Sequence, residues 1–420
     1  MSILIQNAQI IDASSSFHGQ KVNILIDDQG KIAKISAEAI TGADQTIDAE
    51  GMLLSQGWLD MQANYCDPGL EHKEDLTSGR AVAQASGFTQ VAVVPTTEPT
   101  IQTKNDVRYI ASENRASLVQ LRAIGAVTKQ LKGEDFTEII DLHQAGAVAF
   151  SQGGKPLYNS DILLKTLQYL QKFNGLLINR PEDRWLSMFG LMHEGIESTI
   201  LGMKGIPSMA EELMVIRDLK LLEYGGGRLH FSNISTKEAV ALIRQAKSEG
   251  YEVSCDIAAH QLAFTDQDLH TFDTNLKVSP PFRSQADRQA LIEGLQDGTI
   301  DVIVSAHEPQ DQESKKLEFD LADAGIIGQQ TLLPVLLQAE LPAEEWIHTV
   351  TTRPAQILGL SLEPIEEGAI ANLTLFDPEA KWTLDHRSSQ SLSENNPFWG
   401  QELQGRVKAV FNNGQHALNY

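Results

Sequence analysis

Polar side chains follow the apolar stretch at Gly57–Leu59 in an alternating pattern. Gln62 and Asn64 are two residues apart, so in an extended chain their side chains point to the same side. Two histidines at this spacing, at the end of a strand, would form half of a metal site. Amide oxygens can touch a cation, but they bring no negative charge to stabilise a divalent ion. The stretch therefore has the spacing of a metal-binding strand end without the imidazoles.

Several other residues carry groups capable of acid–base or nucleophilic chemistry. They are Cys66, Asp67, His230, His260, His307 and Glu308. Cys66 would become a nucleophile if His260 or His307 lay within hydrogen-bonding reach. The alternative is an inert, small side chain, because nothing in the sequence places a base beside the thiol. A lone histidine on a strand, such as His230, is more often a structural residue than a ligand.

The elements that must position these groups fall into three parts. Residues 1–55 and 362–420 contain short, alternating strands, whereas residues 56–361 alternate apolar strands with amphipathic helices. With the strand before Asp60, the central candidates are 90–94, 121–125, 147–150, 176–178, 228–231, 251–255 and 302–304. Eight strands alternating with helices predict an α/β (β/α)8 barrel, whose site lies at the C-terminal ends of the strands.

A family resemblance rests on the segment from Asp60 to Gly69. It resembles the dihydroorotase motif Asp-x-His-x-His-x-Arg-(Asp/Glu)-Pro-Gly, within the cyclic amidohydrolase superfamily. The segments at 70–79, 277–283, 352–358 and 395–400 also resemble that family, so the likeness covers nearly the whole chain. It implies a barrel at 56–361 and a small β-sandwich formed by 1–55 together with 362–420.

The resemblance also assigns family roles to positions that here carry other residues. The metal or catalytic positions are occupied by Gln62, Asn64, Gln152, Gly153, Arg180, Asn233 and Ala306. The substrate-binding positions are occupied by Cys66, Thr96 and Ser279. Active relatives are expected to hold zinc, and we expect none here. Arg180 is expected either to fill part of the vacant metal position or to point outward to solvent.

Three interpretations arise from these substitutions. The first is a catalytically inactive dihydroorotase homologue, for which the family offers a precedent as a structural partner of aspartate transcarbamoylase; a homo- or hetero-oligomer is expected. The second is an active dihydroorotase or other cyclic-amide hydrolase, interconverting carbamoyl-aspartate and dihydroorotate with an atypical site. The third is a protein that binds a small ligand in the barrel.

Composition narrows the classes of partner and compartment. The 420 residues carry a formal net charge of −23, which disfavours nucleic-acid binding. No apolar run approaches the roughly 18 residues of a membrane span, and the N-terminus lacks the pattern of a secretory signal. Two cysteines favour a reducing cytoplasm. The acidity indicates either solubility alone or an acidic face for a basic partner.

Overall fold

The computed structural model describes residues 1–115 and 117–419. Its strands in chain order are β1 (Ile3–Ile10), β2 (Lys21–Ile26), β3 (Ile32–Ser36), β4 (Gln45–Asp48), β5 (Leu53–Gln56), β6 (Trp58–Ala63), β7 (Phe88–Val93), β8 (Gln120–Ala126), β9 (Ala149–Ser151), β10 (Leu176–Asn179), β11 (Met192–His193), β12 (Gly205–Ile206), β13 (Arg228–Phe231), β14 (Val253–Ala258), β15 (Val302–Val304), β16 (Leu373–Thr383), β17 (Glu402–Asn412) and β18 (Gln415–Leu418).

The α-helices lie mostly between the central strands. They are α1 (Leu76–Ser86), α2 (Lys104–Ile110), α3 (Ile139–Ala145), α4 (Ser160–Leu170), α5 (Arg184–Ser187), α6 (Ile196–Leu201), α7 (Met209–Gly225), α8 (Lys237–Ser248), α9 (Gln285–Gln296), α10 (Gln312–Lys315), α11 (Leu332–Gln338), α12 (Ala343–Trp346) and α13 (Thr352–Leu358).

Eight parallel strands form the barrel, in the order β6-β7-β8-β9-β10-β13-β14-β15. A parallel bridge between Ala63 and His307 joins the last strand to the first, and Asn64 N donates to His307 O at 2.8 Å. The predicted barrel is confirmed, and each predicted strand overlaps an observed one. The first strand extends to Ala63, so most of the alternating polar stretch that follows Leu59 is strand.

Side chains alternate between the inside and the outside of the barrel. Leu59 and Met61 belong to an inner apolar cluster that also contains Ile178 and Val304. Trp58 points the other way and packs edge-on against Phe88, at 5.9 Å between ring centroids. The pairing of β6 with β7 shifts register between Asp60 and Ala63, which interrupts this period of two and lets Gln62 and Asn64 reach the mouth.

Asp60 fastens the first strand to the last one. Its buried carboxylate accepts hydrogen bonds from Ser305 N at 3.2 Å, from the Ser305 hydroxyl and from Gln329 Nε2 at 3.0 Å. Burial raises the pKa of Asp60, while these donors oppose that rise. The Asp60 carboxylate therefore has a structural role where the first and last strands of the barrel meet.

Helix α8 illustrates how local sequence sets the helices. Thr236 Oγ1 accepts from Ala239 N at 3.2 Å, which makes Thr236 the N-cap. The Glu211 carboxylate also accepts from the amides of Ser235 and Thr236, each at 2.9 Å. These contacts fix the loop that carries Asn233 to the mouth.

Strands from both ends of the chain share a second sheet. Its order is β18-β17-β16-β5-β1-β2-β3, and β4 also pairs with β1. Strand β1 pairs with β4 along Ile3–Gln6 and with β5 along Gln9–Ile10. The sheet therefore branches at β1, where the two strands pair with different parts of it. Its apolar core combines side chains from both termini, such as Ile5 and Phe411. Within the two described ranges, no helix has the length and apolarity to cross a membrane.

Candidate functional site

A cavity of about 170 Å³ opens at the C-terminal mouth of the barrel. Its lining residues are Gln62, Asn64, Val94, Thr96, Gly154, Arg180, Asn233, Ala258, His260, Val278, Ser279, Ala306, His307, Glu308, Ala324, Gly325 and Ile326. The cavity is smaller than the roughly 300 Å³ at which pockets for drug-sized ligands begin. It brings together most of the residues singled out from the sequence.

Gln62 and Asn64 both face the cavity, as their spacing predicts. Gln62 Oε1 accepts from Ser232 Oγ at 2.6 Å. Asn64 Nδ2 donates to Glu308 Oε1 at 2.9 Å, and Asn64 Oδ1 accepts from Cys66 N at 3.0 Å. The amide oxygens of both residues are thus occupied by protein donors.

Arg180 is buried and lines the mouth, so its side chain does not point outward to solvent. Its guanidinium donates to Gly154 O at 3.1 Å and to Ser279 Oγ at 2.6 Å, and it forms an ion pair with Glu182. A guanidinium stays protonated and offers no lone pair to a metal. The mouth therefore contains the fixed positive charge of Arg180, which is balanced by the carboxylate of Glu182.

Four buried polar atoms on residues that line the cavity have no hydrogen-bond partner among the described residues. They are Thr96 Oγ1, Asn233 Oδ1, His260 Nδ1 and His307 Nδ1. Burial lowers the pKa of His260 to about 4, so its imidazole is neutral near pH 7. Buried polar groups are normally satisfied, so a set of unsatisfied atoms on the residues that line one cavity is suited to contact a bound molecule or water.

The end of β15 supplies Ala306, His307 and Glu308. Ala306 adopts a φ of +46°, so the chain leaves the strand at this residue. His307 is buried, with its Nε2 3.4 Å from Glu74 Oε2 and its Nδ1 unpartnered. Burial raises the pKa of the Glu308 carboxyl, which the hydrogen bond from Asn64 opposes.

Three predicted mouth groups do not line the cavity. The Nδ1 of His230 lies 2.7 Å from Ser254 Oγ and its Nε2 lies 2.8 Å from Asp256 Oδ2, so neither nitrogen is available. Asp67 accepts from Leu76 N at 3.2 Å and Tyr109 Oη at 2.8 Å. Cys66 is buried, and burial raises the pKa of its thiol, which keeps it protonated.

Gln152 and Gly153 also do not provide a pair of free metal ligands. The Gln152 amide turns to Thr128, whose N and Oγ1 each donate to Gln152 Oε1 at 3.1 Å. Gly153 has a φ of +62°, and a Cβ built there would lie 2.4 Å from Thr96 Cγ2. An aspartate at position 153 would therefore require Thr96 to move.

These residues do not fit a zinc pair. Zinc sites are built from imidazole, thiolate and carboxylate ligands, whereas the mouth presents amides, a guanidinium and a methyl group at the corresponding positions. Among residues 1–115 and 117–419, no group of three or more His, Cys, Asp or Glu is arranged to hold a metal ion.

Two residues that matter at the site were not singled out from the sequence. Glu182 neutralises Arg180, and Asp256 holds both His230 and the Asn233 backbone amide, at 2.6 Å from its N. Glu182 could have been found from the spacing Arg180-x-Glu182, because opposite charges two residues apart in an extended chain lie on the same side. Asp256 had no comparable signal, since its partners come from another strand.

Comparison with known proteins first defines the class. Residues 193–416 match the Amidohydrolase family. The L-hydantoinase (dihydropyrimidinase) structure from Arthrobacter aurescens superposes with a TM-score of 0.85 at 24% identity, covering 99% of this chain and 96% of that one. A D-hydantoinase structure gives a TM-score of 0.83 at 20% identity, with 100% and 95% covered. The barrel is therefore of the amidohydrolase type.

Sequence relatives narrow the class to a family. Residues 51–239 match the family described as Dihydro-orotase-like. The protein named dihydroorotase from Syntrophotalea carbinolica is 38% identical, with 99% of this chain and 98% of that protein covered. The dihydroorotase from Pelotomaculum thermopropionicum is also 38% identical, at 99% and 98% coverage. The chain belongs to the dihydroorotase family, which confirms the resemblance found in the sequence.

Proposed function

We propose that this chain serves pyrimidine biosynthesis as a dihydroorotase-family protein that does not itself hydrolyse or close the cyclic amide. The place in pyrimidine biosynthesis rests on full-length relatives named dihydroorotase. The lack of catalysis rests on one observation: Arg180, joined to Glu182, Ser279 and Gly154, occupies the mouth where a metal-dependent hydrolase needs ligands. Without a metal or a well-placed base, water at the mouth stays unactivated.

The remaining acid–base groups support the same proposal. His260, with a pKa of about 4, is a weak base at neutral pH. His307 is engaged by Glu74, and Cys66 is a buried thiol outside the cavity. Glu308 is the one carboxylate lining the cavity among the described residues, and it is held by Asn64. Any residual turnover would thus be expected to depend on Glu308.

The test is a direct assay of dihydroorotate hydrolysis and carbamoyl-aspartate cyclisation, with and without added zinc. The dihydroorotase from Syntrophotalea carbinolica serves as the positive control. We expect no turnover from this chain in either direction. Turnover that is lost in Glu308→Gln would contradict the proposal and support the alternative of an active hydrolase with an atypical site.

We further propose that the chain acts as a structural partner of aspartate transcarbamoylase. Support comes from the family precedent and from the formal net charge of −23, which suits a basic partner. The interface should bury more than about 1,000 Å² and should weaken as salt rises. Co-expression followed by size-exclusion chromatography with mass detection is the test. Separate elution at micromolar concentration and low salt would contradict this role.

A second candidate function is the binding of a small polar molecule at the mouth. It is favoured by the four unpartnered buried atoms on Thr96, Asn233, His260 and His307, residues that line the cavity together with Arg180. Calorimetric titration with dihydroorotate and with carbamoyl-aspartate tests it. Saturable binding that is lost in Thr96→Val would favour this function, and no heat with either compound would count against it.

A further inference from the structure

A second cavity, of about 330 Å³, lies between the barrel and the terminal sheet. Its walls come from the end of α1, the start of α11, the chain at the end of β16 and after it, and strands β17 and β18. None of its lining residues also lines the mouth cavity. The volume falls within the roughly 300–1,000 Å³ of pockets that bind small molecules. We call it the interdomain cavity.

The interdomain cavity differs in charge from the chain as a whole. The chain has 56 acidic and 33 basic residues. Arg387 and Arg406 line the cavity, whereas no Asp or Glu of the described residues does. Guanidinium groups without neighbouring carboxylates on the same wall attract anions, and arginine matches the geometry of phosphate and carboxylate groups. The wall is therefore suited to an anionic ligand.

Arg387 has a guanidinium that the protein leaves available. The residue is exposed, and its side chain has no hydrogen-bond or ion-pair partner among residues 1–115 and 117–419. Asp385 is close in sequence, but it does not line the cavity. Its Oδ1 accepts from Arg387 N at 2.8 Å and from Ser388 N at 3.2 Å. The backbone of the turn is thus held while the five N–H donors of the guanidinium remain for a ligand.

Hydrogen bonds also fix the segment that carries Arg387. Gln330 Nε2 donates to Ser388 O at 2.9 Å, and Gln390 N donates to Gln330 Oε1 at 2.9 Å. Ser388 Oγ donates to Thr383 O at 2.6 Å. The segment is therefore attached both to the start of α11 and to the end of β16. A wall that is ordered before binding loses little conformational entropy when a ligand arrives.

The other walls combine an aromatic ring with side-chain amides. Trp382 Nε1 donates to Gly405 O at 2.8 Å, which holds the indole against β17. Leu333 adds apolar surface, and Gln84 adds an amide that can both donate and accept hydrogen bonds. An indole beside amides suits a flat ring that carries hydrogen-bonding groups, because such rings stack on aromatic side chains.

We propose that the interdomain cavity binds a phosphate monoester that carries a flat ring, of the nucleoside monophosphate class. A phosphate monoester has a charge of about −1.5 to −2 near pH 7, which matches the positive charge of two arginines better than a single carboxylate does. The ring would lie against Trp382 and the phosphate near Arg387. This site is separate from the mouth, and the inference does not depend on the proposed lack of catalysis.

The experiment is calorimetric titration of the full chain near pH 7. The probes are adenosine, guanosine, cytidine and uridine 5′-monophosphates, each titrated separately, and inorganic phosphate. We expect at least one nucleotide to bind with a dissociation constant below about 1 mM. It should bind at least about 10-fold more tightly than inorganic phosphate, which lacks the ring. No saturable heat with any nucleotide, or equally tight binding of inorganic phosphate, would overturn the proposal.

Two variants place the binding in the interdomain cavity. Arg387→Gln removes a charged donor and should raise the dissociation constant at least about 10-fold. Gln84→Glu puts a carboxylate of nearly the same shape on the wall, and it should also weaken binding, by repulsion. The matched control is Arg108→Gln, which changes an exposed arginine in the last turn of α2, outside the cavity, and should leave the affinity unchanged.

Folding of each variant is verified by circular dichroism and by its thermal unfolding midpoint. Arg387 is exposed and its side chain is unpaired, so its replacement should leave both measurements unchanged. Binding that is as tight in folded Arg387→Gln and Gln84→Glu as in the unmodified chain would locate the nucleotide elsewhere, for example at Arg180 in the mouth, and would overturn the proposal. An equal loss of affinity in Arg108→Gln would overturn it too, because it would indicate nonspecific attraction of an anion.

Discussion

The Arg180 guanidinium donates a hydrogen bond to Ser279 Oγ at 2.6 Å, which ties the end of β10 to the loop that follows β14. The same guanidinium donates to Gly154 O and forms an ion pair with Glu182. One side chain thus joins three segments around the cavity and places a permanent positive charge there. A divalent cation beside that charge would be repelled, because the guanidinium cannot release its proton.

The first prediction concerns zinc content. The purified chain should contain no stoichiometric zinc, because the mouth offers amides and Arg180 where zinc requires imidazole, thiolate or carboxylate ligands. Elemental analysis of the protein from zinc-supplemented medium is the measurement. The dihydroorotase from Syntrophotalea carbinolica, prepared in parallel, is the comparison. Two tightly held equivalents of zinc would refute the proposal of an inactive site.

The second prediction is that Ala306→Asp restores no dihydroorotase activity. Aspartate tolerates the left-handed backbone at Ala306, where φ is +46°, better than most residues do, so the variant should fold. A carboxylate alone lacks the activated water that a set of metal ligands would provide. The assay is dihydroorotate hydrolysis by the unmodified and variant chains at equal, verified stability. Measurable turnover by Ala306→Asp that the unmodified chain lacks would show that the other groups suffice.

The third prediction is that Arg180 stabilises the fold. Arg180→Met should lower the free energy of unfolding by about 2 kcal/mol, because it leaves Glu182 partly buried without its partner and removes two further hydrogen bonds. Arg244→Met is the control, since Arg244 and Asp297 form an ion pair that is largely exposed. That variant should change stability by no more than about 0.5 kcal/mol. Equal losses in urea unfolding would disprove a structural role for Arg180.

The sequence predicted the barrel well, because strands such as 228–231 and helices such as 237–248 are set by local apolar periodicity and caps. It also predicted that Gln62 and Asn64 share a face. It did not predict the direction of Glu308, because alternation applies only within a strand. Strand β15 ends at Val304, and the left-handed turn at Ala306 redirects the chain beyond it.

Other features of the site depend on partners that are distant in sequence. His230 does not line the cavity because its side chain is hydrogen-bonded to Asp256, which lies on the neighbouring strand. Gln152 is turned away by Thr128, from the loop after β8. Periodicity gives the side of a strand from which a residue emerges, and it gives no information about which neighbour satisfies the polar atoms there.

The fourth prediction concerns the pH dependence of stability through His260. Burial lowers the pKa of folded His260 to about 4, whereas an unfolded histidine titrates near 6.5. Between these values the unfolded chain binds a proton that the folded chain excludes. Stability should therefore fall as pH falls from about 6.5 to 4, by up to about 1.4 kcal/mol per pH unit.

His260→Gln isolates this contribution from other titrating groups. Asp218, for example, acts in the opposite direction: burial raises its pKa to about 6, so its protonation stabilises the folded chain as pH falls. Asp218 is present in both proteins, and its effect cancels when the two are compared. Urea unfolding of both chains from pH 7 to pH 4.5 is the measurement. Relative to the variant, the unmodified chain should lose about 2 kcal/mol across that range. Parallel stability profiles would mean that His260 titrates normally and is reached by solvent in the folded protein.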